Sequence, residues 1–436
     1  MIPGHTTRKA DMTSTTPGAG TAPAPRPPMT RRGIPLDPDL RILAASTFAH
    51  RFGSGALMTT SALYFTRVAG FAPGEVALAL SVAGLVGLLV QVPAGHLADT
   101  RGPREVMVAT AAFTALLAAT PVLARTPLEL ALLMGALALF QSSGHAVRGG
   151  VIAQLARGGR GVQFKAYLRA VTNVSMGLGS LVGGLALLVD RPWAYIGVFV
   201  VDALLCAVAA LVTLRLPHLP PHPVVAGEPR LAVLRDVPYV VLTLLIGIFC
   251  VHFVVMDIGM VLYLAEHTAA PHVMISVLLV LNTAMVALFQ VRLSHGSGTV
   301  GEGARSMLVA SLFLAGGFAL VAVAGSLGAV LASVVLIGGS LVHVVGEMVG
   351  SGGQWALQMG LAPHERQGQY QGFSGLGWSL MEVVGPPVVV LLCVGVGQLG
   401  WLVLGALMVA TALAIVPVSR WALGSRAHYG VTTHSG

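Results

Sequence analysis

Long apolar runs, separated by short breaks that contain charged residues, proline or glycine, fill the chain from about residue 41 to residue 421. The runs are long and continuous, which predicts helices rather than half-buried strands. At about 20 apolar residues per crossing, the chain has room for about twelve membrane spans. The pattern places them at residues 41–65, 75–97, 105–124, 128–155, 166–189, 193–214, 238–264, 272–292, 304–324, 328–358, 370–395 and 398–421.

The composition agrees with a membrane protein. Of the 436 residues, 55% are hydrophobic and only 10% are charged, whereas about a quarter of the residues of a soluble protein are charged. The fold class predicted is therefore all-α and integral to the membrane. The formal net charge of +8 does not indicate nucleic-acid binding here, because the positions of the charges explain it better. All three cysteines fall in apolar runs and are expected to be core residues.

The polar segments divide the chain into five parts. Residues 1–38, rich in Thr, Pro, Ala and Gly, are predicted to be a disordered cytoplasmic tail. A hydrophilic linker at 216–237 separates two predicted six-helix bundles, 39–215 and 238–421, and a second cytoplasmic tail follows at 422–436. The segments GHAVRGG and GEMVGSG occupy comparable places in the two bundles. Such weak internal repetition is typical of duplicated transporters with a binding site between their halves.

The basic residues predict the orientation. When the loops are assigned alternately to the two sides, only Arg67, Arg125 and Arg191 of the 25 Lys and Arg fall on one side, and Arg51 falls inside the first span. All the others, including Lys165 and Arg169, are assigned to the opposite side. The positive-inside rule makes that side cytoplasmic, together with both termini, and favours an even number of spans in the plasma (inner) membrane.

A loop motif suggests the family. The stretch GHLADTRGPREVM, residues 95–107, resembles the signature loop between the second and third spans of the major facilitator superfamily. Gly95 allows two helices to approach and Gly102 permits a tight turn. Asp99 supplies an acceptor that can pair with Arg104 or cap a neighbouring helix. The resemblance implies a major facilitator fold of two pseudo-symmetric bundles, in which this loop controls the conformational switch.

Residues 346–387 resemble the tenth and eleventh spans of the multidrug-efflux-like branch of that superfamily, the drug/proton antiporters. Two positions depart from the branch pattern. The basic residue that proton-coupled members often carry in the fourth span falls on Phe140, so it is missing or displaced to Arg148. The Gly-Pro pair of the fifth span reads Gly179-Ser180. Both departures weaken the antiporter assignment.

Two carboxylates at membrane depth are the leading candidates for proton coupling, Glu347 and Glu382. Ionisable groups there cost roughly 2.5–3.5 kcal/mol on insertion scales and usually serve a function. A desolvated carboxylate can bind a proton in one orientation of the protein and release it in the other, although either glutamate could instead be a structural partner of an arginine. In the tenth span, polar residues recur at helical spacing and predict one cavity-lining face: His343, Glu347, Ser351, Gln354 and Gln358.

Arg51 lies about ten residues into the first span, near the membrane midplane. Because arginine keeps its charge, it needs a counter-ion there: an anionic substrate group, one of the two glutamates, or a permanent structural partner. In the fourth span, His145 and Arg148 lie one turn apart, and His145 occupies the place that Glu347 has in the other half. Both are candidates for proton or substrate contacts, and a packing role for the histidine is the alternative.

These observations predict a secondary active transporter that works by alternating access and exports a small amphipathic compound, such as an antibiotic, against a flow of protons. The alternatives are a symporter or uniporter that imports a small anionic nutrient, and a membrane sensor that does not transport. The sequence has no phosphate-binding loop and no complete zinc-protease motif, so we expect neither ATP use nor enzymatic activity. No metal or cofactor is expected, and a monomer would suffice for function.

Overall fold

Twelve long helical segments follow one another along the part of the chain that the structure describes. The computed structural model describes residue 30 and residues 34–156, 160–221 and 231–429. Most of the predicted N-terminal tail, part of the linker and the last seven residues lie outside the described residues. The segments are α1 (Pro38–Leu63), α2 (Pro73–Arg101), α3 (Pro103–Leu117), α4 (Pro127–Leu155), α5 (Arg160–Val189), α6 (Pro192–Thr213), α7 (Val237–His267), α8 (Val273–Leu293), α9 (Val300–Ala324), α10 (Ala329–Gly360), α11 (Gln367–Val389) and α12 (Gln398–Gly424).

The all-α membrane fold predicted from the sequence is confirmed. Eleven helical segments of the described chain are long and apolar enough to cross a membrane. Large apolar side chains such as Leu188 and Val330 lie on the outer surface, more than four-fifths exposed, as a lipid-facing surface requires. α1 is not among the eleven, because it carries Asp39, Arg41 and Arg51 and many small polar residues. The twelfth span therefore stays a prediction.

Local sequence sets where the helices begin. Proline occupies the first turn of α1, α2, α3, α4 and α6, where a backbone N–H would have no partner within the helix. Thr126 and Thr299 cap α4 and α9, and each forms a reciprocal capping box with the glutamate three residues later. The charged residues at these starts thus satisfy backbone groups at the ends of apolar helices.

The helices form two groups of six. In the first, α1 packs against α5 and α6, α2 against α4, and α3 against α4 and α6. In the second, α9 packs against α10 and α12, and α7 against α11 and α12. Contacts between the groups join α2 and α4 to α11, and α5 to α8 and α10. The interface between the bundles is therefore built from α2, α4 and α5 on one side and α8, α10 and α11 on the other.

Close helix packing in the first bundle depends on glycine. Gly179 and Gly183 of α5 lie directly against the backbone of α1 at Phe52 and Ala56. A Cβ atom at either position would overlap that backbone, so the small residues allow the two helices to approach, as in other membrane helix pairs.

The end of the molecule at which α1 begins and α12 ends is called the terminal end below. There, Leu40 of α1 shares a buried cluster with Ala98, Val106 and Leu216 from the ends of α2, α3 and α6. In the second bundle, buried Arg426, just beyond α12, donates a hydrogen bond to Asp236 Oδ2 at 3.0 Å.

The Tyr370 hydroxyl donates to the same carboxylate oxygen of Asp236, also at 3.0 Å. The segment after α12 is thereby fastened to the starts of α7 and α11.

Among the described residues, three helices contain or end in a wider π-helical turn away from the terminal end. These turns span Tyr64–Val68 after α1, Val255–Gly259 within α7 and Val390–Val396 after α11. A π turn holds one more residue per turn than an α-helix and is often found at functional sites. α1 and α7 hold corresponding places in the two bundles, so the halves share this irregularity.

The α1–α5 contact predicts a stability difference between two neighbouring glycines. Replacing Gly179 with alanine should lower the free energy of unfolding by about 1–3 kcal/mol, because its Cβ would collide with the Phe52 carbonyl group. Gly177→Ala is the matched control, since nothing lies within 4 Å of a Cβ there and alanine favours the helix. Thermal unfolding of the purified protein, followed by tryptophan fluorescence, measures both. Equal midpoints for the two variants would contradict the proposed packing.

Candidate functional site

A polar cavity of about 360 Å³ lies inside the first bundle and reaches the interface between the bundles. α1, α3, α4 and α6 build most of its wall, and the second bundle contributes Glu382 of α11. The polar side chains of the wall are Ser46, His50, Arg51, Ser54, Thr110, Thr114, Gln141, Ser142, His145, Arg148, Thr213 and Glu382. The cavity is thus lined by hydroxyl, imidazole and guanidinium groups, with one carboxylate.

The two guanidinium groups of this cavity have few partners. Arg51 Nη2 lies 3.4 Å from His145 Nδ1, and Arg148 Nη1 donates to the Thr47 hydroxyl at 3.4 Å. Arg148 Nε is buried and has no hydrogen-bond partner among the described residues. Glu382 accepts a hydrogen bond from Trp378 Nε1 at 2.8 Å and lines the same cavity as Arg51 without forming a salt bridge with it. Positive charge therefore exceeds negative charge in the cavity.

A second cavity of about 300 Å³ adjoins the first, and the two share Gln141, Ser142 and Glu382 in their walls. It lies between α2, α4 and α11. Away from the shared residues its wall is almost entirely apolar: Leu80, Ala83, Gly84, Gly87, Leu88, Met134, Leu137, Ala138 and Val383, with Ser379 as the exception.

A buried ion pair connects the two bundles outside these cavities. Arg169 of α5 donates a hydrogen bond to Glu347 Oε1 of α10 and another to the Ser351 hydroxyl. Asn282 Nδ2 of α8 donates to Glu347 Oε2 at 3.2 Å. The side chain of Glu347 is only 5% exposed, so its negative charge is compensated within the protein rather than by water.

Two histidines extend this cluster into the second bundle. His343 Nδ1 lies 3.8 Å from Glu347 Oε2, one turn away on α10, and the rings of His343 and His252 are 5.9 Å apart. Both side chains are buried. Neither ring nitrogen of His343 nor Nε2 of His252 has a hydrogen-bond partner within the described part of the chain.

A latch at the terminal end joins α2 to α11. Asp99 accepts hydrogen bonds from the backbone N–H groups of Gly368 and Gln369, both at 2.8 Å. These N–H groups belong to the first turn of α11, where the helix dipole favours a negative charge. Gly95 lies against Gly368, which brings the two backbones close together.

Two further bonds join the bundles. Lys165 Nζ donates to Gln371 Oε1 at 2.8 Å near the latch, and Gln91 Nε2 donates to the Ser379 hydroxyl at 2.9 Å. The bundles are therefore in direct contact at the terminal end, and the Gln91–Ser379 bond lies farther along the interface, beside the second cavity that Ser379 lines.

Residues 43–386 match the sequence model of the Major Facilitator Superfamily. The chain belongs to this superfamily. A bacterial homologue of the iron transporter ferroportin, solved in an outward-facing state, is similar in structure, with a TM-score of 0.67 at 15% identity over 88% of this chain and 99% of the other.

The human organic anion transporter MFSD10 (TETRAN) is also similar in structure, with a TM-score of 0.65 at 14% identity over 86% of this chain and 98% of the other. The proton:xylose symporter XylE has a TM-score of 0.61 at 13% identity over 86% of this chain and 94% of the other.

At these identities the likenesses establish the fold, and they include transporters of very different substrates. No curated protein gave a sequence match. Family and fold indicate a transporter of small molecules. Among the described residues, no group of three or more His, Cys, Asp or Glu could hold a metal ion.

The superfamily loop residues occupy distinct places. Of the two partners considered for Asp99, the structure has the neighbouring helix start and not Arg104. Arg104 donates instead to the Leu214 carbonyl at 2.6 Å and to Glu105 at 3.3 Å, both in the first bundle. Gly102 forms the turn between α2 and α3 with φ +101°, a conformation that other residues rarely adopt.

The face of α10 that the sequence predicts to line a cavity lies against α5 in the structure. His343, Glu347, Ser351 and Gln358 are buried, and neither of the two cavities is lined by them. Gln354 is half-buried and accepts from the Cys250 thiol at 3.3 Å. α5 covers this face, because Arg169 reaches across to Glu347. Of the two predicted glutamates, only Glu382 borders the cavities.

Arg169 was not predicted as a site residue, because it lies at the polar start of the predicted span 166–189 and was counted with the cytoplasmic side. The helix begins earlier, at Arg160, so Arg169 lies nine residues, or about 14 Å, beyond its start. The available signal was the pattern of Lys165 and Arg169 one turn apart before a long apolar helix.

Removing the charge of Asp99 should open the terminal end. In Asp99→Asn, one oxygen is replaced by an amide that cannot accept an N–H, and the remaining bond is no longer charge-assisted. Val92 is buried against the core of the second bundle, so a cysteine at Val92 reports opening. We expect labelling of this cysteine by a water-soluble maleimide to become about tenfold faster, in a background without the native cysteines.

The control is Asp37→Asn, because Asp37 caps α1 locally through the Asp39 N–H and joins no bundles. An unchanged labelling rate in Asp99→Asn would show that this carboxylate does not hold the terminal end closed.

Proposed function

We propose that this chain is a proton-coupled secondary transporter that exports a small amphipathic compound by alternating access. The observation that carries the proposal is the ion pair between Arg169 and Glu347, which joins the two bundles at a buried position. A proton on Glu347 would neutralise the carboxylate and weaken the bond between the bundles. Proton binding and bundle rearrangement are thereby linked through one residue.

Electrostatics favours this coupling. Away from water, a carboxylate and a guanidinium attract strongly, and removing one charge of such a pair leaves the other buried and uncompensated. An arginine stays protonated in proteins, so in a pair of this kind the carboxylate is the member that can change its charge. Protonation therefore penalises the present arrangement and favours one in which Arg169 reaches water or another acceptor.

Geometry also fits one state of an alternating-access cycle. The bundles are joined at the terminal end by the contacts of Asp99 and Lys165, and the apolar cavity, which Ser379 and Leu80 line, lies farther from that end. If the terminal end is cytoplasmic, as the distribution of basic residues predicts, this state faces outward. The structurally similar ferroportin homologue was solved in an outward-facing state.

The direction of export rests on the resemblance of residues 346–387 to the multidrug-efflux-like branch. Import of a small anionic nutrient by proton symport is the second candidate, and the excess of arginine over carboxylate in the polar cavity favours it. In either case we place the protein in the plasma (inner) membrane with both termini in the cytoplasm, and a single chain holds the whole proposed machinery.

Proton movement in proteoliposomes tests coupling and direction together. A pH-sensitive dye is trapped inside, and a compound panel is added outside to wild type, Glu347→Gln and the surface control Glu266→Gln. Antiport should make the lumen alkaline when a transported compound enters, whereas symport should make it acidic. We expect Glu347→Gln to lose at least nine-tenths of the proton signal while Glu266→Gln keeps it, because only Glu347 exchanges a proton within the ion pair.

Protein-free liposomes correct for passive entry of weak acids and bases. Compound uptake, measured separately with labelled compound, keeps the result interpretable. Uptake without any proton signal in wild type would overturn proton coupling, and a full proton signal in Glu347→Gln would remove Glu347 from it.

A further inference from the structure

The two adjoining cavities differ in chemistry, and together they describe a ligand with two unlike ends. One is polar and carries Arg51 and Arg148, and the other is apolar and lies between α2, α4 and α11. We propose that the substrate is an amphipathic organic anion, with a carboxylate or similar oxyanion at Arg51 and Arg148 and an apolar chain in the second cavity. This rests on the proposed transport function and names its substrate class.

Hydrogen-bonding capacity supports the anionic end. An arginine has five N–H donors, yet Arg51 and Arg148 each make one long contact of 3.4 Å with the protein. Arg148 Nε is buried without a partner among the described residues. Oxyanions suit guanidinium groups because they can accept two parallel N–H bonds. His145 is exposed to the cavity beside Arg51 and can donate a further bond.

Charge balance supports the same assignment. The polar cavity contains two guanidinium groups and one carboxylate, Glu382, which already accepts the indole N–H of Trp378. Arg169, by contrast, has a carboxylate partner of its own outside the cavity. A bound monoanion would therefore bring the cavity nearer to neutrality, whereas a cation would add a third positive charge.

Size and surface support the apolar end. The volumes of about 360 and 300 Å³ together fall within the range of small-molecule sites. Gly84 leaves space along α2, because a Cβ at that position would meet no atom within 4 Å. An apolar chain that lies there would be removed from water and also from the polar wall of the first cavity.

Glu382 stands where the two cavities meet and attracts Arg51 across the bundle interface. A bound anion would replace Glu382 as the counter-ion of Arg51, and the ionised carboxylate of Glu382 would repel it. Removal of that negative charge should therefore strengthen anion binding. A cationic substrate would require the opposite response, since Glu382 would be its only carboxylate partner in the cavities.

Binding of radiolabelled octanoate to the full chain in nanodiscs, with empty nanodiscs subtracted, tests the proposal. Octylamine and acetate serve as the oppositely charged and the short-chain probes. We expect octanoate to bind at least tenfold more tightly than either. Arg51→Gln and Arg148→Gln should each weaken octanoate binding about tenfold or more, as expected for lost charged hydrogen bonds. Glu382→Gln should tighten it.

The apolar cavity is tested by Gly84→Leu, which fills it and should weaken octanoate binding at least fivefold. Gly197→Leu on α6 is its control, because Gly197 also has open space around its Cβ and lines neither cavity. Arg51→Lys and Arg148→Lys keep the charge and should retain part of the affinity. Monodisperse elution and an unchanged helical circular dichroism spectrum establish that each variant is folded.

Tighter binding of octylamine, lost in Glu382→Gln, would overturn the proposal in favour of a cationic substrate. Octanoate binding that is unchanged in both arginine variants, or in Gly84→Leu, would overturn the assigned positions. The proteoliposome assay is independent of these results. Proton-coupled movement of a cation would leave the proposed transport function standing while removing the anionic substrate class.

Discussion

A charged side chain at membrane depth needs an opposite charge or hydrogen-bond partners inside the protein, because lipid offers none. The arrangement of the two bundles depends on how this constraint is met. Arg169 comes from the first bundle and Glu347 from the second, so neither bundle alone can neutralise its own charge. Ser351 and Asn282 take up further hydrogen-bonding capacity of the pair. Separating the bundles here would leave each charge without its partner, which ties the relative position of the bundles to the charge state of one carboxylate.

The remaining deep arginines obey the constraint in another way. Arg51 and Arg148 face a polar cavity rather than a matched carboxylate, so part of their compensation comes from hydroxyl and imidazole groups and from Glu382 at a distance. The molecule thus separates two roles in space. One arginine connects the bundles, and two others leave donors directed toward an open volume. Such a separation allows the energy of rearrangement and the energy of ligand binding to be adjusted by different residues.

Much of the fold could be predicted from the sequence because lipid leaves few choices for an apolar chain. Every predicted span overlaps an observed helix, and the breaks at Pro73, Pro127 and Pro192 coincide with helix starts. The depth of Glu347 and Glu382 followed from counting residues along a helix of fixed rise. The buried cysteines also match the expectation.

Pairing across the bundles could not be predicted in the same way. Periodicity showed that Glu347 and Ser351 share a face of α10, but the helix that covers this face is fixed by packing between residues far apart in sequence. Arg169 was counted with the cytoplasmic side because it stands at the polar start of the predicted span 166–189, whereas the helix extends six residues further back, to Arg160. For Asp99, the sequence allowed two partners, Arg104 or the start of a neighbouring helix. The structure has the second, because α2 packs against the first turn of α11.

The wide turns of α1, α7 and α11 lie away from the latched end, and this placement has a mechanical consequence. Each residue of an α-helix advances the chain by about 100° around the axis, so a turn that holds one extra residue shifts the angular position of every side chain beyond it. In α7, where Met260–His267 continue the helix beyond the wide turn, tightening that turn would rotate this distal segment about the helix axis without moving the start of the helix. The distal segment of α7 can therefore present different side chains to its neighbours while the contacts of Asp99 stay in place.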